Sequence, residues 1–156
     1  MTYDTIYHLA LAAWASLSWR RTGCTRISSV STSLHPPERA DVLAAALDQA
    51  SKKLLDEGKS PSRKVNEIDD RGSHFWLSLY WAEALAAQTD DAELASAFTP
   101  VAKELRANAE QIDSELLSAQ GSPADLGGYY WPEEAKVTAV MHPSATFNKI
   151  IDELKK

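Results

Sequence analysis

This sequence of 156 residues has a single cysteine, no long apolar run and no excess of positive charge. The single cysteine, Cys24, cannot form an internal disulfide or hold a structural zinc ion by itself, so a reducing compartment, the cytoplasm, is expected. No apolar run approaches the roughly 20 residues that a membrane-spanning helix needs. The net charge of −6 argues against a nucleic-acid-binding surface. We therefore expect a cytoplasmic protein with no membrane or nucleic-acid partner.

Complete catalytic motifs are absent as well. The sequence contains no Gly-rich dinucleotide or phosphate loop, no H-E-x-x-H pair and no G-x-S-x-G elbow. Asp69 and Asp70 are adjacent, but neighbouring carboxylates in a turn are more often solvated than arranged to share a proton. None of the histidines stands at a metal-ligand spacing from another, and each is expected to be a surface or structurally bonded residue: His8, His35, His74 and His142. We expect neither a catalytic nor a metal-binding residue in this chain.

The first 38 residues differ from the remainder. The stretch WRRTGCTRISSVSTSLHPPER is rich in Ser, Thr and Arg and shows no helical apolar period. We expect residues 1–38 to form a divergent, poorly packed segment and residues 39–156 to form a mainly α, helical segment.

Two helices are predicted in the first half of that segment. One covers 38–57, ends at Gly58, and has an apolar face formed by Leu43, Leu47, Ala50 and Leu54. Almost every position from 75 to 87 is apolar, so the second helix, with Ser73 as its cap, should be buried on nearly all sides.

The second half predicts further helices around an aromatic loop. Asp90 with Glu93 resembles a capping box, and behind it lies a stripe formed by Leu94, Phe98, Val101, Leu105, Ile112 and Leu116. Pro100 interrupts the stripe and either kinks a long helix or opens a new one capped by Thr99.

The stretch SPADLGGYYWPEEA predicts an ordered loop packed by its own rings. Two short helices should follow, one opened by Pro132 and one capped by Ser144.

The segment between the first two helices is a candidate anion-binding site. KSPSRKVNEIDDRGSH carries Lys59, Arg63, Lys64 and Arg71 among backbone N–H groups. A guanidinium binds a phosphate through two parallel hydrogen bonds, as at the ribose 2′-phosphate of a dinucleotide. Charges in polar loops are more often simply solvated, and spacing alone leaves both readings open.

Three long motifs in this order resemble one enzyme family. GKSPSRKVNEIDDRGSHFWLSLYWAEALAAQT, PADLGGYYWPEEAK and HPSATFNKIIDELKK are similar to the C-terminal end of the monomeric-type NADP-dependent isocitrate dehydrogenases, over residues 40–156. The resemblance implies a helical C-terminal segment of a larger α/β fold. It also implies that Arg63 contacts the 2′-phosphate of NADP, while the apolar helix behind it fixes the loop against the core.

The same resemblance limits what this chain can contribute. In the family, isocitrate is oxidised to 2-oxoglutarate and CO₂ in the tricarboxylic acid cycle with NADP and Mg²⁺ or Mn²⁺. The catalytic residues and the metal ligands are expected upstream of the segment that this chain matches, so an upstream polypeptide is a candidate partner. We expect a truncated, frame-disrupted or separately encoded piece that is inactive alone.

An alternative is a non-catalytic helical interaction module or an inactive gene remnant. If the chain folds alone as such a module, the helix at 75–87 should be partly uncovered and should invite self-association or partner binding.

Overall fold

The computed structural model describes residues 37–154, and all the regular elements in that range are helices. The six helices are α1 Pro37–Asp56, α2 Asp70–Ala87, α3 Ala92–Ala107, α4 Ala109–Ser118, α5 Glu134–Met141 and α6 Ala145–Glu153. The prediction of a mainly α segment is confirmed. None of these helices is long and apolar enough to cross a membrane. Cys24 and the segment predicted to be divergent lie outside the described residues, apart from the start of α1.

Helix α2 forms the centre of the core. It packs most extensively against α1 and α3. Several of its side chains are almost completely buried, namely Phe75, Leu79, Tyr80 and Leu85. Each such side chain contributes roughly 1.5 to 3 kcal/mol when it leaves water. Between residues 75 and 87 seven residues are buried, whereas Leu77, Ala84 and Ala86 are half-buried and Ala87 is exposed. Helices α1 and α3 therefore cover most of α2, as its apolar sequence predicts, and leave a part of it uncovered.

Charged side chains tie the same three helices together at their surface. Glu83 of α2 accepts hydrogen bonds from Lys53 Nζ of α1 at 2.8 Å and from Arg106 Nε of α3 at 2.7 Å. Burial alone would raise the pKa of Glu83. The two cations lower it by more, so the pKa lies below its usual value. At the other end, Arg39 of α1 bonds to Asp91 and Glu93 at the start of α3.

Two predicted helix caps are wrong by a few residues. Asp69, not Ser73, caps α2, because its Oδ1 accepts the N–H of Gly72 at 2.9 Å and the helix has already begun at Asp70. Ser73 is buried inside the first turn. Asp91, not Asp90, caps α3, since its Oδ1 accepts the N–H of Leu94 at 3.0 Å.

Pro100 lies inside α3 and opens no new helix. Thr99 does not cap, because its hydroxyl donates to the carbonyl of Ala95 one turn earlier, at 2.6 Å. The chain changes helix at Asn108 instead. The predicted apolar stripe nonetheless continues across that break, and its buried members are Leu94, Val101, Leu105, Ile112 and Leu116.

The last helix confirms one prediction, and the helix before it contradicts another. Ser144 caps α6 by accepting the N–H of Phe147 at 3.0 Å. Helix α5 begins at Glu134 rather than Pro132, with Glu133 as its cap residue.

The aromatic loop before α5 is not packed by its rings. Its three consecutive rings are 90 to 91% exposed, and the ring contact within it joins Tyr129 and Tyr130 at 5.0 Å between centroids. Helix α5, which follows the loop, has no buried residue and does not cover the rings.

Candidate cofactor-binding site

The basic loop leaves α1 through a glycine turn. The N–H of Gly58 donates to the carbonyl of Leu55 at 3.1 Å, and that of Lys59 to the carbonyl of Leu54 at 3.0 Å. This pair of bonds is the Schellman arrangement, which requires a left-handed residue, and Gly58 has φ +65°. Gly58 therefore ends α1 as its sequence position predicts, and it turns the chain toward α2.

Residues 62–68 then form a closed loop. The N–H of Ser62 donates to the carbonyl of Ile68 at 2.7 Å, which joins the two ends of the loop. The hydroxyl of Ser62 donates to Glu67 Oε2 at 2.5 Å and accepts the N–H of Lys64 at 3.2 Å. Arg63 thus directly follows Ser62, which makes three hydrogen bonds within the loop.

The end of α4 supports the tip of this loop. The side chain of Gln120 accepts the N–H of Asn66 at 2.9 Å and donates to the carbonyl of Glu67 at 3.0 Å. Sequence reasoning missed Gln120, because a glutamine more than 50 positions away from the loop carries no motif. Only the folded arrangement of α4 and the loop brings the two together.

The four predicted cations do not form one cluster. Lys59 Nζ lies 4.0 Å from the centroid of the Trp76 ring, in a cation–π contact. Lys64 Nζ lies 3.5 Å from Glu67 Oε1 within the loop. Arg71 bonds to Asp69 and to the carbonyl of Val140. Arg63 is exposed and makes no hydrogen bond or ion pair with residues 37–154.

Arg71 is a structural residue that joins the start of α2 to the end of α5. Its Nε and Nη2 donate to Asp69 Oδ2 at 2.9 and 2.6 Å, and its Nη1 donates to the carbonyl of Val140 at 2.8 Å. Burial raises the pKa of Asp69, but bonds from Arg71 and from the N–H of Gly72 outweigh it, and the net pKa is lowered. Asp69 is therefore an ionised helix cap.

Arg63 lies apart from two surface cavities of the described residues. One, of about 410 Å³, is formed by the loop around Gly127 and Gly128, and another, of about 370 Å³, lies between α3 and α6. Neither is lined by Arg63. An exposed guanidinium without an ion-pair partner can bind an anionic group such as a phosphate.

A divalent metal does not fit the described residues. No group of three or more His, Cys, Asp or Glu side chains comes close enough to hold a metal ion in the part of the chain that the structure describes.

Comparison with known proteins gives a consistent result. A family model described as monomeric isocitrate dehydrogenase matches residues 14–152. An isocitrate dehydrogenase (NADP) of Corynebacterium efficiens is 62% identical over 118 residues, which are 76% of this chain and 16% of that protein. One from Azotobacter vinelandii is 55% identical over 116 residues, and an isocitrate dehydrogenase (NADP) 2 of Mycobacterium tuberculosis is 52% identical over 118. The chain thus spans about one sixth of the length of these relatives, or 16%.

Proposed function

Because this chain belongs to the monomeric isocitrate dehydrogenase family, we propose that it provides the C-terminal part of an NADP-dependent isocitrate dehydrogenase. In this proposal the whole enzyme oxidises isocitrate to 2-oxoglutarate and CO₂, in the tricarboxylic acid cycle of the cytoplasm. Residues of an upstream polypeptide bind isocitrate, move the protons and hold Mg²⁺ or Mn²⁺. The part played by the present chain is to bind and orient the cofactor.

The uncommitted guanidinium of Arg63 carries the proposal. Lys59, Lys64 and Arg71 all have partners within the fold, whereas Arg63 has none among residues 37–154. A guanidinium binds a phosphate with two parallel hydrogen bonds, and NAD lacks the 2′-phosphate that would accept them. Arg63 therefore selects NADP over NAD.

Cofactor orientation is the chemical contribution that these residues make. NADP, when bound, supplies the acceptor for the hydride that leaves the substrate. The closed loop at 62–68 holds Arg63 at one place on the surface, and α2 behind it is anchored in the core. Fixing the phosphate end of a cofactor limits the positions that its reactive end can take, and this lowers the entropic part of the barrier.

A chimera tests the role of Arg63. Residues 39–156 would replace the aligned segment of the Corynebacterium efficiens relative, and Arg63→Ala would be compared with the parent chimera. We expect the KM for NADP to rise about tenfold to a hundredfold, on the order of 1.5 to 3 kcal/mol, with a smaller fall in kcat. Lys64→Ala is the matched control, because Lys64 already faces Glu67. An unchanged KM for NADP in Arg63→Ala would contradict the proposal.

The isolated chain should be inactive and should bind NADP weakly. A single exposed ion pair contributes about 1 kcal/mol, whereas a micromolar site requires about 8 kcal/mol. We expect a dissociation constant in the millimolar range or no detectable binding, and no isocitrate-dependent NADPH production at 340 nm with Mg²⁺ or Mn²⁺. NADPH production above a mock-purified control would show that the chain contains a catalytic site of its own.

A helical interaction module is the second candidate function. The observation that favours it is the exposed aromatic segment, defined as Tyr129, Tyr130 and Trp131, whose rings are 90 to 91% exposed. Contiguous exposed apolar surface commonly marks a site of protein association. Sedimentation of the purified chain decides this question, because a clean monomer at high concentration counts against the module.

A further inference from the structure

We propose that Gln120 is the positioning residue for Arg63, an inference that rests on the proposed cofactor role of Arg63. Gln120 follows α4 by two residues and lies more than 50 positions after the basic loop in the sequence. Its side-chain amide makes one bond as acceptor and one as donor to consecutive loop residues, Asn66 and Glu67. It therefore holds the loop tip through two backbone groups, and its side chain also bonds to Asp69, the cap of α2.

The loop tip needs support from outside itself. The Ser62 bonds close the base of the loop, but they join loop residues only to one another. For residues 63–67, the hydrogen bonds that reach other elements among the described residues are those with Gln120. Without Gln120 the loop would stay closed, yet it would be free to tilt relative to α2 and α4.

Asn66, whose N–H bonds to Gln120, has an unusual backbone conformation. Asn66 has φ +68°, a left-handed conformation that non-glycine residues adopt at a cost. The bond from its N–H to Gln120 Oε1 stabilises that conformation. Arg63 lies three residues before Asn66, so a change at this turn changes the direction in which Arg63 leaves the loop.

Gly121 lets the chain turn directly after Gln120. It has φ +79°, a left-handed backbone that favours glycine. A Cβ at this position would lie 3.5 Å from Cγ1 of Val65, an ordinary contact distance, so the backbone conformation rather than a lack of space requires glycine. The segment that follows α4 therefore lies beside two successive tip residues, Val65 and Asn66.

Two ligands that differ in one phosphate test this role. The chimera with the Corynebacterium efficiens relative, defined under the proposed function, would be titrated with adenosine 2′,5′-bisphosphate and with 5′-AMP by calorimetry, and amide exchange would be followed by mass spectrometry. Loss of general stability would weaken both ligands equally, whereas misplacement of Arg63 would weaken only the ligand that carries the 2′-phosphate. We expect Gln120→Ala to reduce the preference for the bisphosphate at least threefold and to speed amide exchange at Asn66 about tenfold or more.

Three further variants serve as controls for Gln120→Ala. Gln120→Glu keeps the acceptor for the N–H of Asn66 and loses the donor to Glu67, so it should retain part of the preference. Ser118→Ala, at the end of the same helix, removes a bond made only to the carbonyl of Glu115 and should change neither readout. Arg63→Ala should abolish the preference.

The outcomes separate the two proposals. If Arg63→Ala abolishes the preference for the 2′-phosphate and Gln120→Ala leaves it intact, the positioning role is overturned while the role of Arg63 stands. If Arg63→Ala leaves the preference intact, the proposed function is overturned and the positioning role falls with it. A thermal unfolding curve on each variant confirms that the chain is folded when binding is measured.

Discussion

Two aromatic stretches of this chain have opposite environments. In α2 the rings of Phe75, Trp76, Tyr80 and Trp81 are at most 9% exposed, whereas the exposed aromatic segment at 129–131 is 90 to 91% exposed. The residue types are nearly the same. The difference lies in the elements around them, because α1 and α3 pack extensively against α2, whereas α5, which follows the exposed aromatic segment, has no buried residue. Aromatic content therefore predicts apolar surface, and only neighbouring elements determine whether that surface is buried.

The buried rings of α2 also have partners for their polar atoms. The hydroxyl of Tyr80 donates to Glu57 Oε2 at 2.5 Å, and the indole N–H of Trp81 donates to the carbonyl of Leu43 at 3.2 Å. Burial of the Tyr80 ring, together with the bond to Glu57, raises the pKa of the tyrosine. No buried side-chain nitrogen or oxygen among the described residues lacks a partner. Buried polar groups in folded proteins are normally hydrogen-bonded, and the polar atoms of these buried rings follow that rule.

Truncating a buried ring should have the largest effect. Phe75 is 0% exposed, and its ring lies 5.3 Å from that of Trp76 and 5.4 Å from that of Phe147. Phe75→Ala should lower the free energy of unfolding by about 3 to 5 kcal/mol, because it leaves a cavity among rings that cannot collapse. Tyr129→Ala, in the exposed aromatic segment, should change it by about 0.5 kcal/mol or less. Urea denaturation of both variants checks the contrast, and equal losses would contradict it.

Acid should lower the stability of the fold by weakening the bonds between Glu115 and the start of α6. Hydrogen bonds from the hydroxyls of Ser144 and Thr146 outweigh burial and lower the pKa of Glu115 to about 2, from an ordinary value of 4.5. Because the folded pKa lies below the unfolded one, the contribution of Glu115 to stability is complete above about pH 4.5 and is lost as the pH falls toward about 2. Ser144 and Thr146 lie at the start of α6, which carries Phe147 against Phe75.

Glu115→Gln is the variant that isolates this effect. It should be about 1 kcal/mol less stable than the parent at pH 7, after allowance for solvent screening, and the difference should shrink toward zero near pH 2. Denaturation midpoints measured between pH 2 and pH 7 check the sign. A difference that grew as the pH fell would contradict the assignment.

Sequence patterns predicted the elements of this fold better than the contacts between them. The burial of α2, the end of α1 at Gly58 and the Ser144 cap all depend on neighbouring residues, so local periodicity and capping rules predicted them. The caps at Asp69 and Asp91 were missed because several polar residues in a row satisfy the same local rule.

Long-range contacts account for what the sequence could not predict at the candidate site. Arg71 and Arg63 look alike in the sequence. Arg71 forms an ion pair with Asp69 and a hydrogen bond to a carbonyl of α5, whereas Arg63 forms neither kind of bond with a described residue. The choice between them depends on where α5 lies. The cofactor role of Arg63 came from family resemblance and stays a prediction.

The smallest change in stability should come from the exposed aromatic segment, and it should be accompanied by a change in association. Replacing Tyr129, Tyr130 and Trp131 together with serine should alter the free energy of unfolding by about 0.5 kcal/mol or less, because the rings are already in water. Self-association in sedimentation velocity should fall, since the contiguous apolar patch is lost. Leu55→Ser is the control, because Leu55 is 60% exposed on α1, apart from the segment. A loss of about 2 kcal/mol or more in the triple variant would mean that these rings are packed in solution, and the contrast with α2 would not hold.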